Sequence, residues 1–245
     1  MLRLTILILL ICPILGYGQL GISVESGFVF SQYNNVQAPN GSTEQGTRFS
    51  LKDDFKEIDR PIYLRVEAKY LIKNKHTIEL TAAPLTVSSR NFQPAVLRFE
   101  EEVYMGNNIN GRYQFNTYRA SYRYRIIDND KFTTDLGATF LVRDAEIRIF
   151  QDQLISRNTD LGFVPLVSFD VRYLAIPKFQ IVLKGDALVG QQGRAEDIFL
   201  GANYDLSSKL AWKLGYRVIE GGADVEQVYN FAFFHFAATG LTFSF

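Results

Sequence analysis

The sequence predicts an all-β chain: a transmembrane, antiparallel, up-and-down β-barrel of about ten strands, with eight or twelve as alternatives, after a cleaved leader. Three observations predict it. Apolar and polar residues alternate singly through much of the chain, the period of strands with unlike faces. Tight polar turns alternate with longer connections. Aromatic residues collect beside the tight turns.

Residues 1–18 read as a secretory signal. Arg3 supplies a positive start, residues 5–15 are almost wholly apolar, and Gly16 and Gly18 stand where a signal peptidase reads small side chains. The apolar run falls short of the roughly 20 residues of a membrane helix, and Pro13 interrupts it. Cleavage leaves Gln19 first and residues 19–245 as one barrel domain. The one cysteine, Cys12, lies in the leader and follows Ile11 rather than the small residue of a lipoprotein site. The mature chain therefore has no thiol, disulfide or Cys-based metal site. Its 26 basic and 26 acidic residues balance, so charge points to no nucleic acid partner.

The strands declare themselves by parity. In residues 62–70 one face carries Ile62, Leu64, Val66, Ala68 and Tyr70, and the other Tyr63, Arg65, Glu67 and Lys69. Residues 210–218 set Leu210, Trp212, Leu214, Tyr216 and Val218 against Lys213, Gly215 and Arg217. Residues 132–142, 163–173 and 179–189 follow the same rule, with Asp135, Asp170, Arg172, Lys184 and Asp186 on their polar faces. Tight turns are expected at 73–75, 128–130, 176–178 and 206–208. The opposite connections run over 31–60, 88–112, 146–160, 190–197 and 220–227. A protruding hairpin is expected in the second of these, pairing 95–104 with 112–118 around 106–111. Short inner turns with long outer loops are the bacterial barrel arrangement.

Tyr70, Tyr124, Phe132, Tyr173, Phe179, Tyr204, Trp212 and Phe245 stand beside the tight turns on apolar faces, as an interfacial girdle does. Closure follows because an open sheet edge in hydrocarbon leaves backbone groups unpaired. Pro84 and Pro165 interrupt strand patterns, and proline removes a ladder donor. Each marks a bulge, a place where one strand rises past its neighbour, or a lateral gap in the wall.

The polar faces predict a lumen-lining charged network of Arg65, Glu67, Lys69, Arg119, Arg123, Asp135, Arg143, Asp170, Arg172, Lys184, Asp186, Lys213 and Arg217, joined by Glu25, Glu79, Arg125 and Asp205. Two readings stand open: an ion-paired plug, since small barrels are filled by side chains, or a narrow, basic-biased pore. The rim segments 143–146, 191–197 and 220–224 form either a ring of surface salt bridges or a carboxylate-lined place for a cation or lipopolysaccharide head groups. Asp53, Asp54 and Glu100–Glu102 could add to it.

No catalytic residue, cofactor or metal ligand set is expected. The histidines are His76, beside an inner turn, and His235, whose parity points it outward with Phe233 and Phe243. A rim pair of His235 with Asp224 or Glu220 is the one candidate for acid–base chemistry.

The last seven residues, with Gly240, Phe243 and Phe245, resemble the C-terminal assembly signal of outer-membrane barrels, which implies the barrel-assembly machinery as a partner. The stretches Ala83-Pro84-Leu85-Thr86, Arg143-Asp144-Ala145-Glu146-Ile147, Gly162-Phe163-Val164-Pro165-Leu166, Gly193-Arg194-Ala195 and Gly215 to Asp224 carry a wider likeness. On these the chain resembles uncharacterised bacterial outer-membrane β-barrel proteins, which implies fold and location but no activity. The expected protein is a monomer in the cell outer membrane, in contact with outer-membrane lipid and lipopolysaccharide. Its leading role is structural or that of a small-solute or ion channel. The alternatives are a lipid A or phospholipid-modifying enzyme using the outer rim, and a surface adhesin or receptor acting through loops 31–60 and 88–112.

Overall fold

A computed structural model describes residues 18–190 and 193–245; the expected leader, apart from Gly18, and Gln191 and Gln192 of the rim lie outside the described residues. The described chain is β-structure throughout: β1 (Gly18–Gln37), β2 (Phe49–Ser50), β3 (Phe55–Ile58), β4 (Ile62–Ile72), β5 (His76–Ala83), β6 (Thr86–Phe92), β7 (Val96–Phe99), β8 (Glu102–Met105), β9 (Asn110–Asp128), β10 (Phe132–Gln151), β11 (Leu154–Ile176), β12 (Phe179–Gly190), β13 (Gly193–Asp205), β14 (Leu210–Asp224) and β15 (Tyr229–Ser244). Ten of these close the wall in the order β1, β4, β5, β9, β10, β11, β12, β13, β14, β15, all antiparallel. β15 returns to β1 with Gly21 opposite Ser244 and Glu25 opposite Gly240, so no barrel edge is left.

Alternation sets the register and the faces. On β4, Leu64 is 48% exposed while Arg65 next to it is 3% exposed. A ten-stranded lumen is filled by side chains, so the outward apolar face has only hydrocarbon to cover it. The four tight turns fall where expected, and Lys73, Asn74 and Lys178 take the positive φ that such turns demand. The girdle aromatics share the turn end: the Phe132 and Tyr173 rings lie 4.8 Å apart, and Phe179, Tyr204 and Trp212 stand in adjacent register.

The outer connections differ from expectation in one consistent way. They are shorter, because the strands continue beyond the membrane. β9, β10 and β11 have 19, 20 and 23 residues, about twice the 9–11 needed to span. Residues 146–160 are therefore strand except at the turn after Gln151, and residues 193–197 and 220–224 belong to β13 and β14. The protruding hairpin is also different. β7 pairs with β8 around Glu100, whose φ is 54°, while residues 112–118 belong to the barrel strand β9. Alternation alone does not choose between partners, and the longer, better-paired β10 claims β9.

Two hydrophobic assemblies result. The exterior belt faces lipid. The second is internal and lies in the outer half, where the first two outer connections fold back into the mouth. Phe49, Phe55, Phe92 and Phe99 cluster there, with Phe55 and Phe92 5.1 Å apart and Phe49 edge-on to Phe99 at 6.1 Å. Leu51, Leu97, Tyr104 and Ile109 complete this cap. Tyr104 hydroxyl is hydrogen-bonded to Ser156 Oγ at 2.7 Å and reaches the Ile149 carbonyl at 3.1 Å, tying the cap to β10 and β11.

Leu200, outward and 56% exposed midway along β13, tests the exterior. Leu200→Arg should cost about 2–4 kcal/mol of barrel stability in lipid vesicles, the penalty for a cation near the midplane, read by reversible denaturant unfolding.

Candidate functional site

Inward parity brings the predicted ionic residues to one level. Asp197 of β13 stands at the centre of it: it accepts from Arg65 of β4 (2.9 Å) and Arg217 of β14 (2.5 Å), and Arg119 of β9 closes on the same carboxylate. Arg217 in turn holds Glu25 of β1 through Nε (2.8 Å) and Nη2 (2.9 Å), a two-pronged pair that Lys213 and the Tyr63 hydroxyl (2.8 Å) complete. Arg65 donates back to Glu67 (2.7 Å). Lys184 of β12 bridges Glu67 (2.9 Å) and Glu79 of β5 (2.7 Å), and Arg123 reaches Glu79 (2.8 Å) and Ser168 Oγ (3.0 Å). Thr139 of β10 donates to Asp186 (2.7 Å), which lies 3.8 Å from Arg119. Nearly every strand of the wall thus sends a group into one connected layer. A buried ion costs several kcal/mol unless an opposite charge and hydrogen bonds meet it, and the layer supplies both.

Phe199 packs beneath the cations, its ring 4.3 Å from Lys213 Nζ and 5.2 Å from the Arg217 guanidinium. Gly201 and Gly215 face each other across β13 and β14, and a Cβ on either would lie 2.4–2.6 Å from the Phe199 ring. Their missing side chains leave the room that ring occupies.

The other predicted lumen residues sit nearer the inner end. Asp170 accepts both prongs of Arg172, and Asp135 accepts Arg125 (2.8 Å). Lys69 and Arg172 line an inner cavity of about 70 Å³ with Lys184 and Lys213. Arg143 departs from the prediction. It lies above the layer, paired with Asp160 on the exposed side of the mouth, because β10 climbs past the membrane before reaching it.

The sequence places Asp197 on the rim, in the segment 191–197, rather than in the lumen network, since that segment reads as loop. Its signal was present: Asp197, Phe199, Gly201 and Asn203 share the inward parity of β13.

Above the layer and beside the cap is a vestibule of about 250 Å³. Phe115 and Ile147 give it an apolar wall, and Arg143, Asp160, Asn158 and Asn230 give it polar groups. Tyr113, whose ring lies parallel to Phe115 at 6.1 Å, donates to Asn230 (3.0 Å). Burial holds the Tyr113 phenol above its usual range, so it remains a donor. Asn158, Asp160, Asn230 and Tyr113 are not singled out by the sequence: the first two fall in the expected loop 146–160, Tyr113 in the expected hairpin arm 112–118, and Asn230 beyond the expected loop 220–227.

On the rim, Glu220 accepts from both Arg194 and Tyr33, and Asp224 accepts from Asn40 (2.8 Å). Burial and the Glu220 carboxylate raise the Tyr33 phenol. His235 faces outward, hydrogen-bonded to Tyr216 with its ring 4.4 Å from Phe233; neither Glu220 nor Asp224 meets it. His76 is likewise on the outer surface, 2.8 Å from the Tyr122 hydroxyl. Among the described residues no cluster of His, Cys, Asp or Glu is arranged to hold a metal ion.

A closed antiparallel wall, greasy outside and ionic within, defines an integral β-barrel protein of the bacterial outer membrane. Among solved structures the chain is similar to the outer-membrane protease OmpT from Escherichia coli, at a TM-score of 0.57 and 8% identity, over 93% of this chain and 97% of that one. The β-domain of the Bordetella autotransporter BrkA aligns at 0.48 and 11% identity, over 94% and 100% of the two chains. An outer-membrane channel from Pseudomonas putida F1 aligns at 0.44 and 10% identity, over 94% and 96%. At such identities the likeness to OmpT is one of fold. No protein-family model matches the chain, and no curated protein matches it in sequence.

Asp197→Ala strips a shared carboxylate from three buried guanidinium groups. It should destabilise the barrel by about 3–5 kcal/mol in denaturant unfolding, whereas Glu220→Gln at the rim should cost no more than about 1 kcal/mol.

Proposed function

We propose that this protein is a ligand-binding outer-membrane barrel, sealed along its axis, whose working surface is the outer vestibule. The observation that carries this is the convergence of Arg65, Arg119 and Arg217 on Asp197 across the lumen. The Phe49, Phe55, Phe92 and Phe99 cap adds a second, apolar barrier above it. A conducting path needs weakly held charges that an ion can enter and leave, and a layer whose cations are already met by carboxylates offers few. The vestibule has the make-up of a small-molecule site, with an apolar wall and a few convergent polar groups. This favours the structural and receptor readings over the channel. A catalytic role has little support, since both histidines face outward and neither meets a carboxylate. Lipid and lipopolysaccharide are the natural contacts of the exterior. Phe243 on β15 and Phe245 just beyond it remain exposed, where an assembly machinery could read them, and the closed wall needs no second copy.

Planar-bilayer recording of the refolded protein tests the seal: the expected trace is silent, and stable stepwise conductance would overturn the reading. Native mass spectrometry of protein drawn gently from outer membranes tests the vestibule. A bound small molecule should be retained by the parent chain and lost in Ala145→Trp, which fills the cavity.

A further inference from the structure

The hydrogen-bond ladder of the wall opens and closes again between β4 and the β5–β6 pair. Below, β4 and β5 pair up to Val66 opposite Ala82. Above, β3 and β6 pair from Ile58 opposite Ser89 to Phe55 opposite Phe92. Between them, residues 62–65 have no partner in β5 or β6. Both borders carry a proline, Pro61 and Pro84. Continuing the lower register would set Leu64 against Pro84.

On the β5–β6 side the backbone is provided for. Leu85 turns toward β9: its carbonyl accepts from Phe115 N (2.8 Å) and its N–H donates to Asn116 Oδ1 (3.3 Å). Thr117 Oγ1 donates to the Ala83 carbonyl (3.4 Å). Pro84, between them, is the residue whose backbone faces β4, and it has no N–H to leave bare. Behind the other border, Val29 N donates to the Pro61 carbonyl (3.2 Å) and Ser26 Oγ to the Tyr63 carbonyl (2.8 Å), which hold β4 to β1 beside the break. An unpaired backbone group facing hydrocarbon costs several kcal/mol; Pro84 spares one donor at the break, and the bonds to β9 and β1 fix its two borders.

The break leads somewhere. Outside it, Ile62 and Leu64 belong to the lipid-facing belt. Inside it lies a small cavity of about 10 Å³, walled by Leu85, Phe115, Ile219 and Phe236 above the Arg65 and Arg217 layer. Just above on the exterior, the Arg60 guanidinium lies 5.9 Å from the Phe30 ring, at the height where head groups begin. We propose that this break is a lateral port that admits the acyl chain of a phosphate-bearing lipid from the outer leaflet into the barrel. Arg60 meets the head group, and the apolar cavity takes the tail by displacing Leu85 and Phe236. The axial seal leaves the port as the apolar way in. The port does not depend on the vestibule holding a ligand.

Photocrosslinking in native outer membranes tests it. Phe236→p-benzoylphenylalanine puts the probe behind the port, Phe199→p-benzoylphenylalanine puts it below the ionic layer, and Leu64→p-benzoylphenylalanine puts it outside. Mass spectrometry of each adduct then reads the captured lipid and its head group. Lipid should be captured at Leu64 and at Phe236, with several-fold less at Phe199. The Phe236 adduct should fall several-fold when Leu64→Cys and Pro84→Cys are joined by a disulfide across the port. Capture at Leu64 alone, equal capture at Phe236 and Phe199, or a Phe236 adduct that survives the disulfide would each overturn the port. Heat-modifiable migration confirms that each variant is folded, and Leu85→p-benzoylphenylalanine replaces Phe236 should that variant fail to assemble.

Discussion

The structure depends on a demand that hydrocarbon makes and the narrowness of the barrel sharpens: a charge that cannot face lipid must face another charge. Ten strands enclose too little space for bulk water, so inward guanidinium and carboxylate groups lose most of their hydration on folding. The chain answers by sharing. Asp197 serves three arginines, Lys184 serves two glutamates, and Glu25 is met by Arg217, Lys213 and Tyr63. Because these groups come from nearly all the strands, the layer also holds the wall in register. A one-residue slip would turn the ions into lipid.

Above the membrane the constraint changes. The strands leave hydrocarbon but stay paired, and the long β9, β10 and β11 make a wall tall enough to shelter a second core. That core is apolar, because loops 31–60 and 88–112 can bury rings there in ordinary globular fashion. Where the cap stops, on the side of β10, β11 and β14, the vestibule remains. Sealing and binding therefore come from the same asymmetry: one half of the mouth is filled and the other is left open.

The two prolines that interrupt strand patterns both stand where a ladder stops. Pro165 stands just beyond the last β11–β12 pair, Val167 opposite Ala187, where β12 itself runs on to Gly190 paired with β13. Pro84 stands opposite a strand that does continue, and its missing donor accompanies a break in the wall that closes again above it. Above Pro84 the ladder is taken up again by β3 and β6, whereas above Pro165 β12 keeps its pairing with β13 alone. Local sequence cannot separate these cases, because the difference lies in what the adjacent strand does.

Alternation in the amino-acid order by itself determined the fold class, the tight turns, the girdle and which side chains point inward. Each of these is settled within one strand or one turn, by a period of two and by residues that suit tight turns. What the tertiary structure decided were matters between strands far apart in the chain. The choice of β10 rather than 95–104 as partner of 112–118, the height to which each strand climbs, and the place of Arg143 above the ionic layer all depend on neighbours. Asp197 shows the limit most plainly. Its parity was legible in the sequence, yet its three arginines come from β4, β9 and β14, and only closure of the barrel brings them to one carboxylate.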